Sequence, residues 1–207
     1  IRTPLTSLDG YFQLIEECDN IDDQSRYLDI IRERLNSLNE MLEELFTFTK
    51  LKNDSYKLEL TDCCINRILK EAVFSYYDEW KKQGICPDIS ITEEMLYISG
   101  NKQGLRRVIQ NVIKNGIDHG EKNISIELTR KDNHALLKIS NYTEHPENID
   151  LSHVFERFYK ADVARGRAST GLGLSIAKEL VERMNGDISA RIQGNDFIIE
   201  IKVPLVV

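Results

Sequence analysis

The chain has 207 residues, of which 41% are hydrophobic and 29% are charged, so it can bury one sizeable core or two smaller ones. Its net charge of −7 argues against nucleic acid as the main partner, because surfaces that bind a phosphate backbone usually carry a basic excess. The four cysteines form no C-x-x-C pair, and no apolar run reaches the roughly 18 residues of a membrane span, so we expect a cytoplasmic segment in a reducing compartment.

Residues 1–51 are predicted to form two helices joined by the polar segment CDNIDDQS (18–25). Apolar residues recur three and four positions apart in both helices, which is the a/d spacing of a helical bundle. They are Leu5, Leu8, Phe12 and Ile15 in the first helix, and Leu28, Ile31, Leu35, Leu38, Leu42 and Leu45 in the second. Further apolar residues widen this stripe beyond what one partner helix covers, which favours a four-helix bundle built by a homodimer. A hairpin packed on the C-terminal part of its own chain is the alternative.

The heptads stop within the segment KLKNDSY (50–56), which is predicted to be a linker between residues 1–52 and residues 53–207. The second part has a mixed helix and strand pattern. We predict strands near 57–60, 88–91, 96–99, 124–128 and 135–139, helices near 65–83, 102–117 and 172–184, and a closing hairpin that pairs residues 188–192 with 199–203. The chain is thus predicted to be α+β, a helical hairpin followed by an α/β sandwich whose mainly antiparallel sheet is covered by helices.

The segment STGLGLSIAKEL (169–180) places Gly171 and Gly173 at the start of an amphipathic helix. Glycine permits close backbone approach, and the free N–H groups at a helix N-terminus attract anions. Basic residues precede this turn and are suited to folding over phosphates. A glycine turn that merely starts a helix is the alternative interpretation of this segment by itself.

A second segment, LRRVIQNVIKNGIDHG (105–120), predicts a helix with one buried stripe. Asn111 and Asn115 lie four positions apart and therefore share a face. Because asparagine is a poor helix former, two on one face suggest a polar task, such as supplying an oxygen ligand to a hard cation. An ordinary solvent-facing stripe is the alternative.

Three segments occur in the order NVIKNGIDHG (111–120), VFERFYKAD (154–162) and STGLGLSIAKEL, after the opening IRTPLTSL. They resemble the N box, F box and second glycine box of bacterial sensor histidine kinases, and the resemblance covers essentially the whole chain. It implies a dimeric phosphotransfer hairpin followed by a Bergerat-type ATP-binding domain. Such a core uses MgATP to phosphorylate a bundle histidine and passes the phosphoryl group to an aspartate in the receiver domain of a response regulator. The resemblance also implies a membrane-anchored parent protein and a phosphatase activity toward the regulator.

The resemblance assigns site residues. It makes Asn115 the Mg²⁺ ligand, and it places Asn111 near the phosphates and His119 beside the nucleotide. A helix-end histidine with no ligand role is the alternative for His119. The further residues assigned to ATP are Asn141, Arg157, Lys160, Ser169, Thr170, Gly171, Leu172, Gly173 and Leu174, with a lid at about 161–170. Thr3 is assigned to orienting the water that dephosphorylates the regulator, although Thr3 followed by Pro4 is also an ordinary helix start.

The sequence departs from the family pattern in its histidines and in its first glycine box, among other positions. The family's phospho-acceptor histidine precedes IRTPL, whereas the four histidines of this chain are His119, His134, His145 and His153. We therefore expect that this chain does not autophosphorylate by the family mechanism. The segment NYTEH (141–145) replaces the first glycine box, D-x-G-x-G, and we expect Asn141 to accept a hydrogen bond from adenine through its side-chain oxygen.

The replaced glycine box motivates a competing hypothesis. In it, the nucleotide pocket is degenerate and the chain is a non-kinase module that binds the response regulator or acts as its phosphatase. Another ATPase with the same nucleotide-binding fold is a third hypothesis, which the heptad hairpin and the IRTPL segment argue against.

Overall fold

A computed structural model of the chain describes residues 2–18, 20–53, 55–119, 123–160 and 170–206, except for the side chains of residues 2–5. The chain divides into two compact units, Ile1–Thr49 and Lys50–Val207. The first unit is helical, and the second combines helices with strands.

The first unit is a helical hairpin made of α1 (Arg2–Glu16) and most of α2 (Ile21–Leu51). The two predicted helices are confirmed, but α2 begins inside the segment expected to be a turn. Asn20 explains this early start, because its side-chain Oδ1 accepts the backbone N–H of Asp22 at 3.0 Å, as a helix cap does. The acidic side chains of Asp22 and Asp23 lie in the first turn, where they interact favourably with the positive end of the helix dipole.

The predicted apolar seam of this hairpin is divided between two stripes. Leu8, Ile31 and Leu38 are buried, and Tyr11 and Ile15 pack against them partly buried. Other large apolar side chains of the hairpin are exposed, namely Phe12, Leu14, Leu28, Leu35, Leu42 and Leu45. One stripe therefore forms the core of the hairpin, and a second stripe is left on its surface, as on a protein that docks another apolar face.

The second unit contains a larger and a smaller sheet. Its elements are β1 (Thr61–Cys64), α3 (Ile65–Ser75), α4 (Tyr77–Gln83), β2 (Asp88–Ile91), β3 (Tyr97–Gly100), α5 (Lys102–His119), β4 (Ile124–Lys131), β5 (His134–Tyr142), α6 (Gly173–Arg183), β6 (Asp187–Gln193) and β7 (Asp196–Pro204). The larger sheet has the order β2-β4-β5-β7-β6, in which β2 and β4 are parallel and the other pairs are antiparallel. β1 pairs antiparallel with β3 in the smaller sheet. The predicted mixed, mainly antiparallel sheet is confirmed.

The core of the second unit lies between the larger sheet and its helices. Every second residue is buried in β5 and in β4 as far as Leu128, as in a sheet with one covered face. The apolar stripes of α5 and α6 are buried as well, and these two helices pack on each other and on β5 and β6. The closing hairpin forms as predicted, with Ile188 opposite Ile201 in the β6–β7 pair.

Two predicted elements differ from the structure. Residues 57–60 are not a strand, because β1 begins at Thr61, the residue that pairs with Gly100 at the end of β3. The helix predicted at 65–83 is divided at Tyr76, whose backbone (φ −98°, ψ 1°) leaves the helical region. The hydroxyl of Tyr76 donates to the carbonyl of Gln110 at 3.2 Å, so a tertiary contact with α5 accompanies the break.

Candidate functional site

The glycine turn before α6 is fixed by backbone contacts. Gly171 has φ +71°, and a Cβ on it would lie 2.8 Å from both the carbonyl carbon and the Cα of Phe158. The N–H of Phe158 donates to the carbonyl of Gly171 at 2.9 Å. Thr170 tightens the turn further, because its Oγ1 accepts the N–H of Leu172 at 3.1 Å. The turn and the segment around Phe158 therefore approach so closely that a side chain at position 171 would not fit.

The N-terminus of α6 follows this turn directly. Leu172 is buried, and its carbonyl accepts the N–H of Ile176 at 2.9 Å. The N–H groups of residues 173–175 precede this first helical hydrogen bond, so they have no acceptor within the helix. Leu174 is half-buried within the same first turn. Such a helix end carries a partial positive charge and is suited to binding an anion.

Asn111 links α5 to this turn. Its side-chain amide donates to the carbonyl of Gly173 at 2.9 Å, and its Cγ would lie 3.7 Å from a Cβ on that glycine. Asn115 lies one helical turn further along α5 and is half-buried like Asn111. The structure thus brings Asn111, the first of the two predicted asparagines, against the glycine turn, although Asn111 and Gly173 are 62 residues apart in the chain.

Asn141 lies beside the same helix. It is 6% exposed, and its side-chain amide donates to the carbonyl of Tyr142 at 3.3 Å. Its Oδ1 is 3.7 Å from the position that a Cβ on Gly116 would take, so this glycine leaves room between β5 and α5. The backbone path that replaces the glycine box is an extension of β5 to Tyr142, followed by a 3₁₀ turn at Pro146–Asn148.

The other predicted site residues are placed as follows. His119 is the last residue of α5 and is exposed, as are Arg157 and Lys160 on either side of the turn contact at Phe158. Ser169 and residues 161–168 of the predicted lid lie outside the described residues. Thr3 belongs to the first turn of α1, and its side chain is among those not described.

The sequences of both units match known families. Residues 100–206 match the family described as histidine kinase-, DNA gyrase B-, and HSP90-like ATPase, and residues 1–54 match the His kinase A (phospho-acceptor) domain. The chain belongs to the sensor histidine kinases. It corresponds to their catalytic core, in which the phospho-acceptor domain precedes the ATPase domain.

Curated relatives agree with this membership. The sensor histidine kinase YcbM of Bacillus subtilis is 30% identical over 197 residues, which cover 92% of this kinase core and 63% of YcbM. The sensor protein VanS of Enterococcus faecium is 29% identical over 210 residues, which cover 99% of the core and 54% of VanS. The core therefore spans less than two thirds of the length of either relative.

Solved histidine kinase structures share the fold. Acinetobacter baumannii AdeS has a TM-score of 0.80 at 20% identity, with 100% of this chain and 97% of AdeS covered. Full-length ShkA in complex with AMPPNP has a TM-score of 0.75 at 19% identity, covering 100% and 44% of the two chains. ThkA in complex with the response regulator protein TrrA has a TM-score of 0.76 at 20% identity, covering 99% and 58%. Among the described helices of this kinase core, none combines the length and the apolar character needed to cross a membrane.

One polar cluster of the kinase core was not predicted. The carboxylate of Asp150 contacts both Ser152 and His153. Its Oδ1 accepts the backbone N–H of Ser152 at 3.0 Å, and its Oδ2 lies 2.8 Å from His153 Nδ1. Hydrogen bonds from Ser152 and His153 lower the pKa of Asp150, and the carboxylate raises the pKa of His153. The Tyr159 hydroxyl accepts the N–H of Asp150 at 2.7 Å, so the cluster ties the two ends of the segment 150–159 together. Aspartate two residues before serine is the available sequence signal, since it favours a side-chain-capped turn.

A separate apolar groove of about 740 Å³ lies between the α3–α4 pair and β2. Trp80, Phe74 and Ile89 are among its lining residues, and none of the predicted nucleotide residues is. Two lysines also line the groove, but the rest of the lining is mainly apolar and less suited to triphosphate than a helix end, since burying phosphate charge without polar partners is costly. The glycine turn beside Asn111 is therefore the better candidate site of the kinase core.

Proposed function

We propose that residues 50–207 bind MgATP and that, in the parent protein, this core transfers the γ-phosphoryl group of ATP to a phospho-acceptor histidine of the bundle, from which it passes to an aspartate of a response regulator. The contact between Asn111 and Gly173 carries this proposal, because it sets the asparagine face of α5 beside the anion-binding end of α6. The match of residues 100–206 to an ATPase family and the complex of ShkA with AMPPNP support it.

The residues of the site fit a magnesium nucleotide. An asparagine oxygen is a hard ligand of the kind Mg²⁺ accepts, and half-buried Asn115 would supply it. Mg²⁺, when bound, neutralises charge on the phosphates. The N–H groups at residues 173–175 would bind phosphate oxygens. The side-chain oxygen of buried Asn141 would accept a hydrogen bond from the adenine amino group.

The remaining site residues would act on the outer side of the nucleotide. We propose that exposed Arg157 and Lys160 balance phosphate charge, that the hydroxyl of Thr170 lies beside the phosphates, and that His119 lies beside the nucleotide. Ser169 is proposed as a further ATP-binding residue. Phosphoryl transfer needs little covalent help from a protein, so the work of these residues is to position the nucleotide, balance charge and exclude water.

The test is competition between ATP and a fluorescent trinitrophenyl-ATP for the 207-residue chain. We expect ATP to displace the probe, and we expect Asn111→Ala to bind ATP about 5-fold more weakly, because a lost hydrogen bond of about 1 kcal/mol releases the glycine turn. Asn39→Ala, at an exposed position of the hairpin, is the matched control and should bind as wild type. A chain that binds neither nucleotide would favour the non-kinase, regulator-binding hypothesis instead.

We further propose that the exposed stripe on α1 and α2 forms a homodimer, consistent with the phospho-acceptor domain match. Leu35 and Leu42 are 46% and 48% exposed and lie two helical turns apart, as a shared docking face requires. Light scattering should find a dimer for wild type and a monomer for the double variant Leu35→Lys and Leu42→Lys. Asn36→Lys adds one such charge at an exposed position about 100° around the helix from Leu35, so it should stay dimeric. A dimer in all three proteins would exclude this face.

The phosphotransfer partner is proposed to be a response regulator receiver domain that binds the hairpin near its start, where Thr3 would orient the water for dephosphorylation. The complex of ThkA with the response regulator TrrA supports this choice of partner. Since no histidine occurs in residues 1–54, we propose that this chain itself is not labelled on the hairpin by radioactive ATP. The parent protein is proposed to hold this core on the cytoplasmic side of a membrane.

A further inference from the structure

The last residue of α6, Arg183, holds the linker at two places. Its Nη1 donates to the carbonyl of Tyr56 at 2.9 Å, and its Nη2 donates to the carbonyl of Leu51, the last residue of α2. Its Nε donates to Glu179 Oε1, one turn earlier in α6, at 3.1 Å. We call these contacts of Arg183 with Leu51, Tyr56 and Glu179 the clamp. All of these residues belong to the second unit, so the clamp lies within that unit.

Glu179 completes the clamp from the other side. Its Oε2 accepts from Lys52 at 3.1 Å, and its side chain and that of Arg183 are each 23% exposed. Burial acts to raise the pKa of Glu179, but the hydrogen bonds from Lys52 and Arg183 outweigh it and leave the pKa below its ordinary value. Leu51 is 2% exposed, so the end of α2 is held by apolar burial as well as by charge-assisted hydrogen bonds.

The opposite end of the same helix carries the proposed phosphate site. α6 has 11 residues, or a length of about 16 Å at about 1.5 Å per residue. It begins at Gly173, whose carbonyl accepts from Asn111, and ends at Arg183. Rigid secondary elements can carry coupling between sites, so we expect a small shift of the first turn of α6 to reach its last turn.

We propose that Arg183 is a positioning residue that couples nucleotide binding at the N-terminus of α6 to the hydrogen bonding of the linker, residues 50–56. This inference rests on the proposed function of the same site. Because α2 is continuous from Ile21 to Leu51, the clamp holds the end of the helix that carries the hairpin. Coupling between two sites is reciprocal, so nucleotide should order the linker and an intact clamp should strengthen nucleotide binding.

Hydrogen exchange of the 207-residue chain, with and without AMPPNP and Mg²⁺, tests the coupling. In wild type we expect exchange in residues 50–56 to slow at least threefold when nucleotide is bound. In Arg183→Ala we expect no such slowing, together with a three- to tenfold weaker nucleotide affinity. Arg183→Lys keeps the positive charge but cannot donate to both carbonyls in the guanidinium geometry. Its exchange response and nucleotide affinity should lie between those of wild type and Arg183→Ala.

The matched control is Arg130→Ala, since Arg130 also pairs with a glutamate, Glu94, and donates to a backbone carbonyl. It should keep both the exchange response and the affinity. Glu179→Gln removes the negative charge that Lys52 and Arg183 share, with almost no change of volume, so it should weaken the clamp and reduce the exchange response even where the alanine variant unfolds.

Two results would overturn the coupling. One is nucleotide binding to wild type with unchanged exchange in residues 50–56, and the other is an equal exchange response in wild type and Glu179→Gln. Calorimetry on the same samples separates these from the failure of the proposed function, which would show as no nucleotide binding to wild type at all.

Discussion

Gly171→Ala should destabilise the second unit more than the same change at Gly84. Both glycines have a left-handed backbone, with φ +71° and φ +67°, so alanine pays the same conformational cost of about 1–2 kcal/mol at each. Replacing glycine with alanine also lowers the conformational entropy of the unfolded chain by the same amount in both variants. The difference between the two variants therefore isolates what a Cβ meets at each site.

At Gly171 a Cβ would lie 2.8 Å from two backbone atoms of Phe158 and 2.9 Å from the carbonyl oxygen of Tyr159, whereas at Gly84 it would meet nothing within 4 Å. Backbone atoms cannot rotate away as a flexible side chain can, so the turn or the segment 158–159 must move. Overpacking of this kind costs about 1–3 kcal/mol. We expect the free energy of unfolding of Gly171→Ala to fall below that of Gly84→Ala by this amount.

Urea denaturation followed by tryptophan fluorescence measures this difference, because Trp80 is the single tryptophan of the chain and is buried in the second unit. Nucleotide affinity provides a second readout, which should fall in Gly171→Ala and not in Gly84→Ala. Equal losses of stability in the two variants would mean that the glycine turn does not pack against Phe158 as described.

Three further predictions concern stability and ionisation. Asn66→Ala should cost about 3 kcal/mol in urea denaturation, because this 1% exposed side chain donates to two carbonyls and accepts one N–H of the segment 92–96, and all three groups would lose their partner. Leu38→Ala should lower the free energy of unfolding of the hairpin, measured by thermal denaturation, by about 2–4 kcal/mol, since it removes a buried side chain from the core of the first unit. The pKa of His153 should lie above its ordinary value in an NMR titration and return toward it in Asp150→Asn. Because the folded pKa is raised, this contact stabilises the fold below the ordinary histidine pKa and is lost as the pH rises through the raised value.

Elements with a clear hydrophobic period could be predicted from the sequence. The helix at 102–117 was predicted two residues short of α5, and the closing hairpin was predicted across the correct turn, because burial of one face imposes a period of 3.6 or 2 residues on the sequence. The break at Tyr76 was not predictable, since it is accompanied by a contact with α5 that no local pattern shows.

Long-range polar contacts are what the sequence could not reveal. The motif order identified Asn111 and Gly173 as site residues, but only the fold shows that one donates to the carbonyl of the other. Arg183 belongs to none of the recognised motifs, and the Leu51 carbonyl to which it donates is 132 residues away in the chain. The division of the leucine seam into a buried and an exposed stripe likewise depends on how α1 packs on α2, because both stripes have the same heptad spacing.

The most direct test of MgATP binding by this core is a calorimetric titration of the chain with AMPPNP, with and without Mg²⁺, alongside Asn115→Ala. We expect saturable binding that is strengthened by Mg²⁺ in wild type, and a loss of most of this strengthening in the variant, because Asn115 would supply the ligand from α5. No binding up to millimolar AMPPNP, or equal dependence on Mg²⁺ in both proteins, would contradict the proposed site.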